Sequence, residues 1–358
     1  MIGQVRVGII GNRLFPLNES YANQAHVLSE IFSAEVFTCS NLGNIPFMKH
    51  GRYRIFNSRF IGGKVFLLSV INGFLLYIAL KMFERKFNTI ILMGGIESEF
   101  LKYLNLKKCI PIISTIDDES KVEWFAQKIA PRLKKIIVQS ENVKKRLINL
   151  GVNPSKINFI YPIVNTKRFK YTEPPPLKNF KILFASAPNV ENPYENNFKT
   201  KGVPLLLESF KELIAEYNAT LFLLWRGKHN KELYDLIGKL GLEENVKIIN
   251  IVTDVARWHK KTHATVIPYL SSWRSPQYPL SALEALACGR PVITTNVIEL
   301  AELVRKYNCG CVSRPVKKEF TAALKDCIIN YSRYQNNCRE VSKLVMNSSI
   351  TSLLLGEI

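Results

Sequence analysis

A chain of 358 residues exceeds the span over which one hydrophobic core usually suffices, so two domains are expected. Its 47% hydrophobic and 22% charged residues exclude a disordered chain, and seven scattered cysteines, an odd number, exclude a disulfide framework and read as reduced packing residues. The formal net charge of +20 calls either for an anionic partner (nucleic acid, an acidic membrane surface, phosphorylated small molecules) or for a lysine-rich solvated surface.

The sequence enters a strand at once, Val5 to Ile10, with no signal-peptide layout ahead of it, so the protein is expected to stay in the cytoplasm. Gly8-Ile-Ile-Gly11 is not a dinucleotide fingerprint, because a third glycine and an acidic ribose partner are missing. Apolar, β-branched runs recur at Ala34 to Thr38, Thr89 to Met93, Ile110 to Ser114, Lys135 to Gln139 and Ile157 to Ile160. Helical segments between them predict a parallel sheet covered by helices. Val65 to Leu80 is apolar but shorter than the roughly 20 residues that cross a bilayer, and it carries Ser69, Asn72 and Gly73. Two readings stand for it: a buried core helix, or a region that docks on an anionic membrane surface through Arg52, Arg54, Arg59, Lys64, Lys81, Arg85 and Lys86. Asp117 and Asp118 end a strand, where an aspartate either meets a ligand or caps the next helix.

Lys170 to Asn179 contains three consecutive prolines, which join neither a ladder nor a helix interior, and so marks a linker. The strand rhythm then restarts at Phe180 to Ala185, Ala219 to Trp225, Val246 to Ile251, Ala264 to Pro268 and Val292 to Thr295. The predicted organisation is a first α/β domain over 1–169, a linker over 170–179, a second over 180–330, and a tail over 331–358 that either crosses back to the first domain or does not. Doubly wound sheets bind ligands beyond the carboxyl ends of their strands, so two such domains facing each other would form one cleft.

The most informative stretch is Tyr278 to Thr295. At 3.6 residues per turn Leu280, Leu283, Glu284 and Ala287 share one face of a short helix, while Ser281 and Ala285 point elsewhere. Gly289 and Pro291 stop that helix before the strand Val292 to Thr295. Glu284 therefore sits among apolar neighbours: either its head reaches water at the rim, or it is buried and needs donors such as the hydroxyls of a sugar. Metal chemistry is not expected. His259 and His263 are four apart but lack an obvious third ligand, and read as polar surface residues.

Three segments in order, Val138 to Phe169, Lys201-Gly-Val-Pro-Leu-Leu-Leu-Glu-Ser-Phe210 and Leu280 to Thr295, resemble signatures of the retaining, nucleotide-sugar-dependent glycosyltransferases of group 1 (family 4). The resemblance implies the GT-B fold, in which two Rossmann-like domains face each other across a cleft. It also implies transfer of a hexose from a nucleoside-diphosphate sugar to a lipid-linked or polysaccharide acceptor with retention of configuration. Lys201 takes the place of the family's diphosphate lysine, and Glu284 that of the second Glu of its Glu-x7-Glu motif, which holds the ribose hydroxyls. The N–H groups of Leu280 and Ser281 would meet the phosphates. The donor is a co-substrate, and no cofactor or metal is implied.

Several positions depart from the family pattern. Its first Glu falls at Pro276, so the contact to the donor sugar is lost unless Gln277 replaces it. Its diphosphate arginine falls near Ala187, with Arg226 at the end of the neighbouring strand as a substitute or simply a surface arginine. Where the family often has a His near the reacting sugar, this chain offers Asp117, and the Gly-rich turn after the first strand is absent. A rival expectation is therefore a glycosyltransferase-like protein that binds a nucleotide or partner and transfers nothing. Nucleic-acid binding is not expected, because no recognition-helix, RRM or zinc-finger pattern appears. The expected location is the cytoplasm, and only the second reading of Val65 to Leu80 adds peripheral contact to the inner face of the cell membrane.

Overall fold

The expected apolar runs form strands, and three more join them. In this computed structural model the described residues are 6–12, 14, 20–40, 47–57, 66–93, 101, 103–116, 118–186, 197–226, 231–272 and 275–345. The chain divides between Ile163 and Val164 into two compact units. In the first, β1 (Val7–Asn12), β2 (Glu35–Ser40), β3 (Phe47–His50), β4 (Tyr53–Asn57), β5 (Thr89–Met93), β6 (Cys109–Ile113), β7 (Ile136–Val138) and β8 (Ile157–Phe159) form a sheet in the order β3-β4-β2-β1-β5-β6-β7-β8. All neighbours are parallel except β3 and β4, an antiparallel edge hairpin. Lys49, His50, Arg52 and Arg54 interrupt the apolar pattern of that hairpin, which is why periodicity does not reveal it.

Helices α1 (Ser20–Ile31), α2 (Phe66–Glu84), α3 (Glu119–Trp124) and α4 (Glu141–Asn149) belong to this unit. Leu80 and Phe83 of α2 enter a core with Phe87, Ile90 and Leu92, with Leu76 and Ala79 packed against it. Ile9, Val36, Ile91 and Ile112 build the opposite core together with α1. With both faces covered, continuous apolar runs such as Ile90 to Met93 are the stable choice for the central strands.

The second unit holds β9 (Phe180–Ala185), β10 (Ala219–Leu224), β11 (Val246–Ile248), β12 (Ala264–Ile267), β13 (Val292–Thr295) and β14 (Gly310–Ser313) in the order β11-β10-β9-β12-β13-β14, all parallel. Its helices are α5 (Asn197–Thr200), α6 (Val203–Ile214), α7 (Lys231–Leu240), α8 (Val255–Lys261), α9 (Leu280–Ala287), α10 (Leu300–Tyr307), α11 (Lys317–Ile329) and α12 (Tyr331–Val345). Helix α12, the described part of the C-terminal tail, packs on α9 and α10 within this unit. Residues 346–358, on which the expectation of a return to the first domain rests, lie outside the described residues.

The proline-rich segment is fastened to the second unit by two buried side chains. The Arg290 guanidinium donates to Thr172 O and Cys288 O at 2.7 and 2.8 Å, to His259 O at 2.7 Å and to Thr172 Oγ1 at 2.9 Å. His263 accepts the Lys181 N–H at Nδ1 (2.8 Å), so its Nε2 carries the proton and donates to Pro175 O (2.9 Å). Its ring stacks on Phe180. Both histidines expected at the surface, His259 and His263, are instead wholly buried. They tolerate this because burial keeps them neutral: it pushes His259 down to about 3, aided by the Arg290 charge, and lowers His263 as well. All seven cysteines are buried free thiols.

Because the planar fork of Arg290 serves several carbonyls at once, Arg290→Lys should keep the charge but strand acceptors, at a cost of about 2–4 kcal/mol. Urea unfolding checks this, and an unchanged midpoint would show that the fork is dispensable.

Candidate donor site in the second unit

From β9 the chain goes outward to β10 and β11, then crosses over to β12 on the other side of β9. This reversal makes the carboxyl ends of β9 and β12 the switch point at which open α/β sheets bind ligands. The turn carrying Lys201 is built onto that point. Gly202, which caps α6, has φ +70°, and a Cβ there would lie 1.7 Å from Pro268 O in the loop after β12. Only glycine permits both that conformation and that approach. Leu270 N–H donates to Thr200 O at 2.8 Å, and Thr295 Oγ1 donates to Tyr269 O at 2.5 Å, so the Lys201 turn, the β12 loop and the end of β13 are tied together. Lys201 itself is half-buried. Arg226 lies two residues beyond β10, the neighbour of β9, also half-buried at the same edge of the sheet.

Helix α9 begins after the β12 loop with Pro279 as its cap residue. The N–H groups of Ala282 and Leu283 bond to Pro279 O, so those of Leu280 and Ser281 stand ahead of the first helical hydrogen bond. The helix closes as a Schellman motif: Gly289 N–H bonds to Leu286 O, Arg290 N–H bonds to Ala285 O, and Gly289 has φ +75°. Its sequence is apolar on nearly every side, and every residue except Ser281 is buried, including Ala285.

Glu284 is thus 7% exposed. Burial pushes its carboxyl up to about 8, partly countered by the Arg168 guanidinium and reinforced by Asp254. Arg168 is paired with Asp254, Nη2 to Oδ1 at 2.6 Å, and Asp254 caps α8 by accepting the Ala256 N–H at 3.0 Å. Burial acts to raise the Asp254 carboxyl, but Arg168 and the backbone donors outweigh it and hold it low. This ion pair beside Glu284 is the part of the site that sequence reasoning missed. The available signal was Arg168 inside the Val138 to Phe169 segment and Asp254 just ahead of an apolar-periodic helix.

Gln277 is occupied structurally. Its Oε1 accepts Glu299 N–H at 3.2 Å and its O accepts Leu300 N–H at 3.0 Å, which secures the start of α10, and Pro276 beside it is exposed. Asp118 takes the capping role, its Oδ1 accepting Ser120 and Lys121 N–H at the start of α3. Asp117 and Ala187 lie outside the described residues. At the carboxyl edge of the first sheet, Ser114 Oγ donates to Gln139 Oε1, whose Nε2 donates to Gln24 Oε1 at 2.7 Å, which also accepts Ile163 N–H. Among the described residues, no three His, Cys, Asp or Glu side chains are grouped to hold a metal ion.

Comparison with known proteins bears on the family and the fold. The family model described as "Glycosyl transferases group 1" matches residues 194–330. Two uncharacterized glycosyltransferases of Methanocaldococcus jannaschii are 33% identical over 97 residues and 27% identical over 107, or 27% and 29% of this chain. Those matches span only about a quarter of each relative, 23% and 26%. Anabaena HepE in complex with UDP superposes with a TM-score of 0.74 at 14% identity, over 99% of this chain and 100% of that one. Sucrose-phosphate synthase from Thermosynechococcus elongatus gives 0.72 at 14% identity over 98% of both chains. WaaG, a glycosyltransferase involved in lipopolysaccharide biosynthesis, gives 0.68 at 15% identity over 98% and 100%. The chain has the GT-B fold, and its second unit matches the group 1 glycosyltransferase family.

A carboxyl raised from 4.5 to about 8 on folding holds its proton longer in the native state. Its contribution to stability is therefore complete below pH 4.5 and lost as the pH rises through 8, at up to about 1.4 kcal/mol per pH unit. The ligand-free protein should lose more melting temperature between pH 5 and pH 8 than Glu284→Gln does. Parallel curves would mean that Glu284 is already ionised.

Proposed function

We propose that this protein is a glycosyltransferase that moves a hexose from a nucleoside-diphosphate sugar to a lipid-linked or glycan acceptor, with retention of configuration. The observation that carries this reading is Glu284, a buried carboxyl held near neutral at the ligand-binding edge of a doubly wound sheet. Ribose hydroxyls donating to it would turn an unfavourable burial into charge-assisted hydrogen bonds. Lys201, fixed at the switch point by Gly202, would neutralise charge on the departing diphosphate, and Arg226 could add a guanidinium from the next strand. The Leu280 and Ser281 N–H groups, at the positive end of α9, suit the same phosphates. Asp117, shortly past β6, is the first unit's proposed contribution at the reacting sugar. The UDP bound by the structural neighbour HepE supports a nucleotide donor. The protein needs no further cofactor or metal in this reading, and it acts in the cytoplasm.

One observation favours a second reading, in which nucleotide binds but nothing is transferred. Gln277, the only substitute for the missing first Glu, has its amide engaged at α10, which removes it from easy contact with a donor sugar.

Calorimetry with UDP-, GDP- and ADP-sugars should find one donor whose affinity falls about 10- to 100-fold in Glu284→Ala, the loss of charge-assisted hydrogen bonds. Slow release of nucleoside diphosphate that drops about 100-fold or more in Lys201→Ala would establish transfer, whereas donor binding without release in the native protein would select the second reading. Donor binding indifferent to Glu284 would refute the site.

A further inference from the structure

Helix α2 is apolar on two opposite faces, and the core uses only one. Leu76, Ala79, Leu80 and Phe83 turn inward at three- and four-residue spacing. The opposite stripe carries Phe74, Tyr77, Ile78 and Met82, all exposed, with Phe74 at 62% and Met82 at 63%. Leu75, at the edge of the stripe, is exposed too. Isolated exposed apolar residues need no explanation, but a contiguous row on one helix does.

Beside this row lies a concavity of about 520 Å³ between α2 and Asn105 to Lys108, lined by Tyr77, Ile78, Lys81, Met82, Arg85 and Lys108. Its single carboxylate, Glu84, is buried and satisfied by Lys81 at 2.9 Å and by the Asn105 N–H. Three cations against one carboxylate leave the concavity positive. Lys107 adds charge close by on a chain whose net charge is +20, whereas Lys86 lies 3.9 Å from the Glu35 carboxylate. Among the described residues, no helix is long and apolar enough to cross a membrane.

We propose that the outward face of α2 docks on an anionic lipid bilayer, with Phe74, Ile78 and Met82 entering the boundary of the acyl chains while Arg85 and Lys108 meet lipid phosphates. Charge complementarity selects this occupant: a two-fold contact with a second copy would set these same cations against one another. The surface belongs to the first unit and does not rest on the transferase reading. If both hold, the acceptor is membrane-borne.

The test is co-sedimentation of the full chain with vesicles of phosphatidylcholine alone and of phosphatidylcholine with phosphatidylglycerol, at low ionic strength. The expected result is partition to the anionic vesicles only. Arg85→Gln with Lys108→Gln should weaken it about fivefold per charge removed, and Phe74→Ser with Met82→Ser by about tenfold or more, with melting curves and UDP binding unchanged. Equal partition to neutral vesicles, no partition to anionic ones, or a dimer in solution that Phe74→Ser abolishes would overturn the proposal. Failure of every protein to bind a nucleotide would instead count against the transferase reading alone.

Discussion

A carboxyl buried in a helix whose residues are all buried except Ser281 is the constraint around which the second unit is arranged. Burying a charge without donors is costly, and Glu284 meets that cost by staying protonated near neutral pH while Arg168 is committed to Asp254. The helix that carries it is fixed at both ends, by the Pro279 entry and by the Schellman turn at Gly289. Its neighbourhood therefore offers little room to relax. A ligand bringing hydroxyl donors would relieve that frustration, and the proposed ribose contact would turn the same residue from a local liability into a source of affinity.

The remaining positions at this edge are held by equally specific contacts. Gly202 lets the Lys201 turn close on Pro268, and Thr295 reaches Tyr269, so the backbone that carries Lys201 is held in place. Arg290 and His263 bind the proline-rich segment to the same unit through carbonyl acceptors. Neither needs a carboxylate partner: Arg290 spreads its charge over several carbonyls, and His263 stays neutral.

Much of this was legible because the central strands are apolar on both faces and their runs stand out, and because α9 places a single acidic residue in an apolar stripe. The hairpin β3–β4 was not legible, since its charged residues break both the alternation and the run. Strand β14 was not legible either, because four residues opening on a glycine are too short for a period or an apolar run to show. Burial of His259 and His263 was missed because a histidine's polarity in sequence says nothing of the carbonyls and rings that will surround it. The Arg168–Asp254 pair joins residues 86 positions apart, a proximity that no local period encodes. Conversely, Gln277 looked available in sequence, and only the fold shows its amide committed to Glu299.

The central claim is that Glu284 is neutral until a ribose meets it. Calorimetry of UDP binding at pH 7 in buffers of different ionisation enthalpy counts the protons exchanged. The account predicts release of close to one proton per nucleotide, absent in Glu284→Gln. Binding with no proton release, or with release that persists in Glu284→Gln, would contradict it.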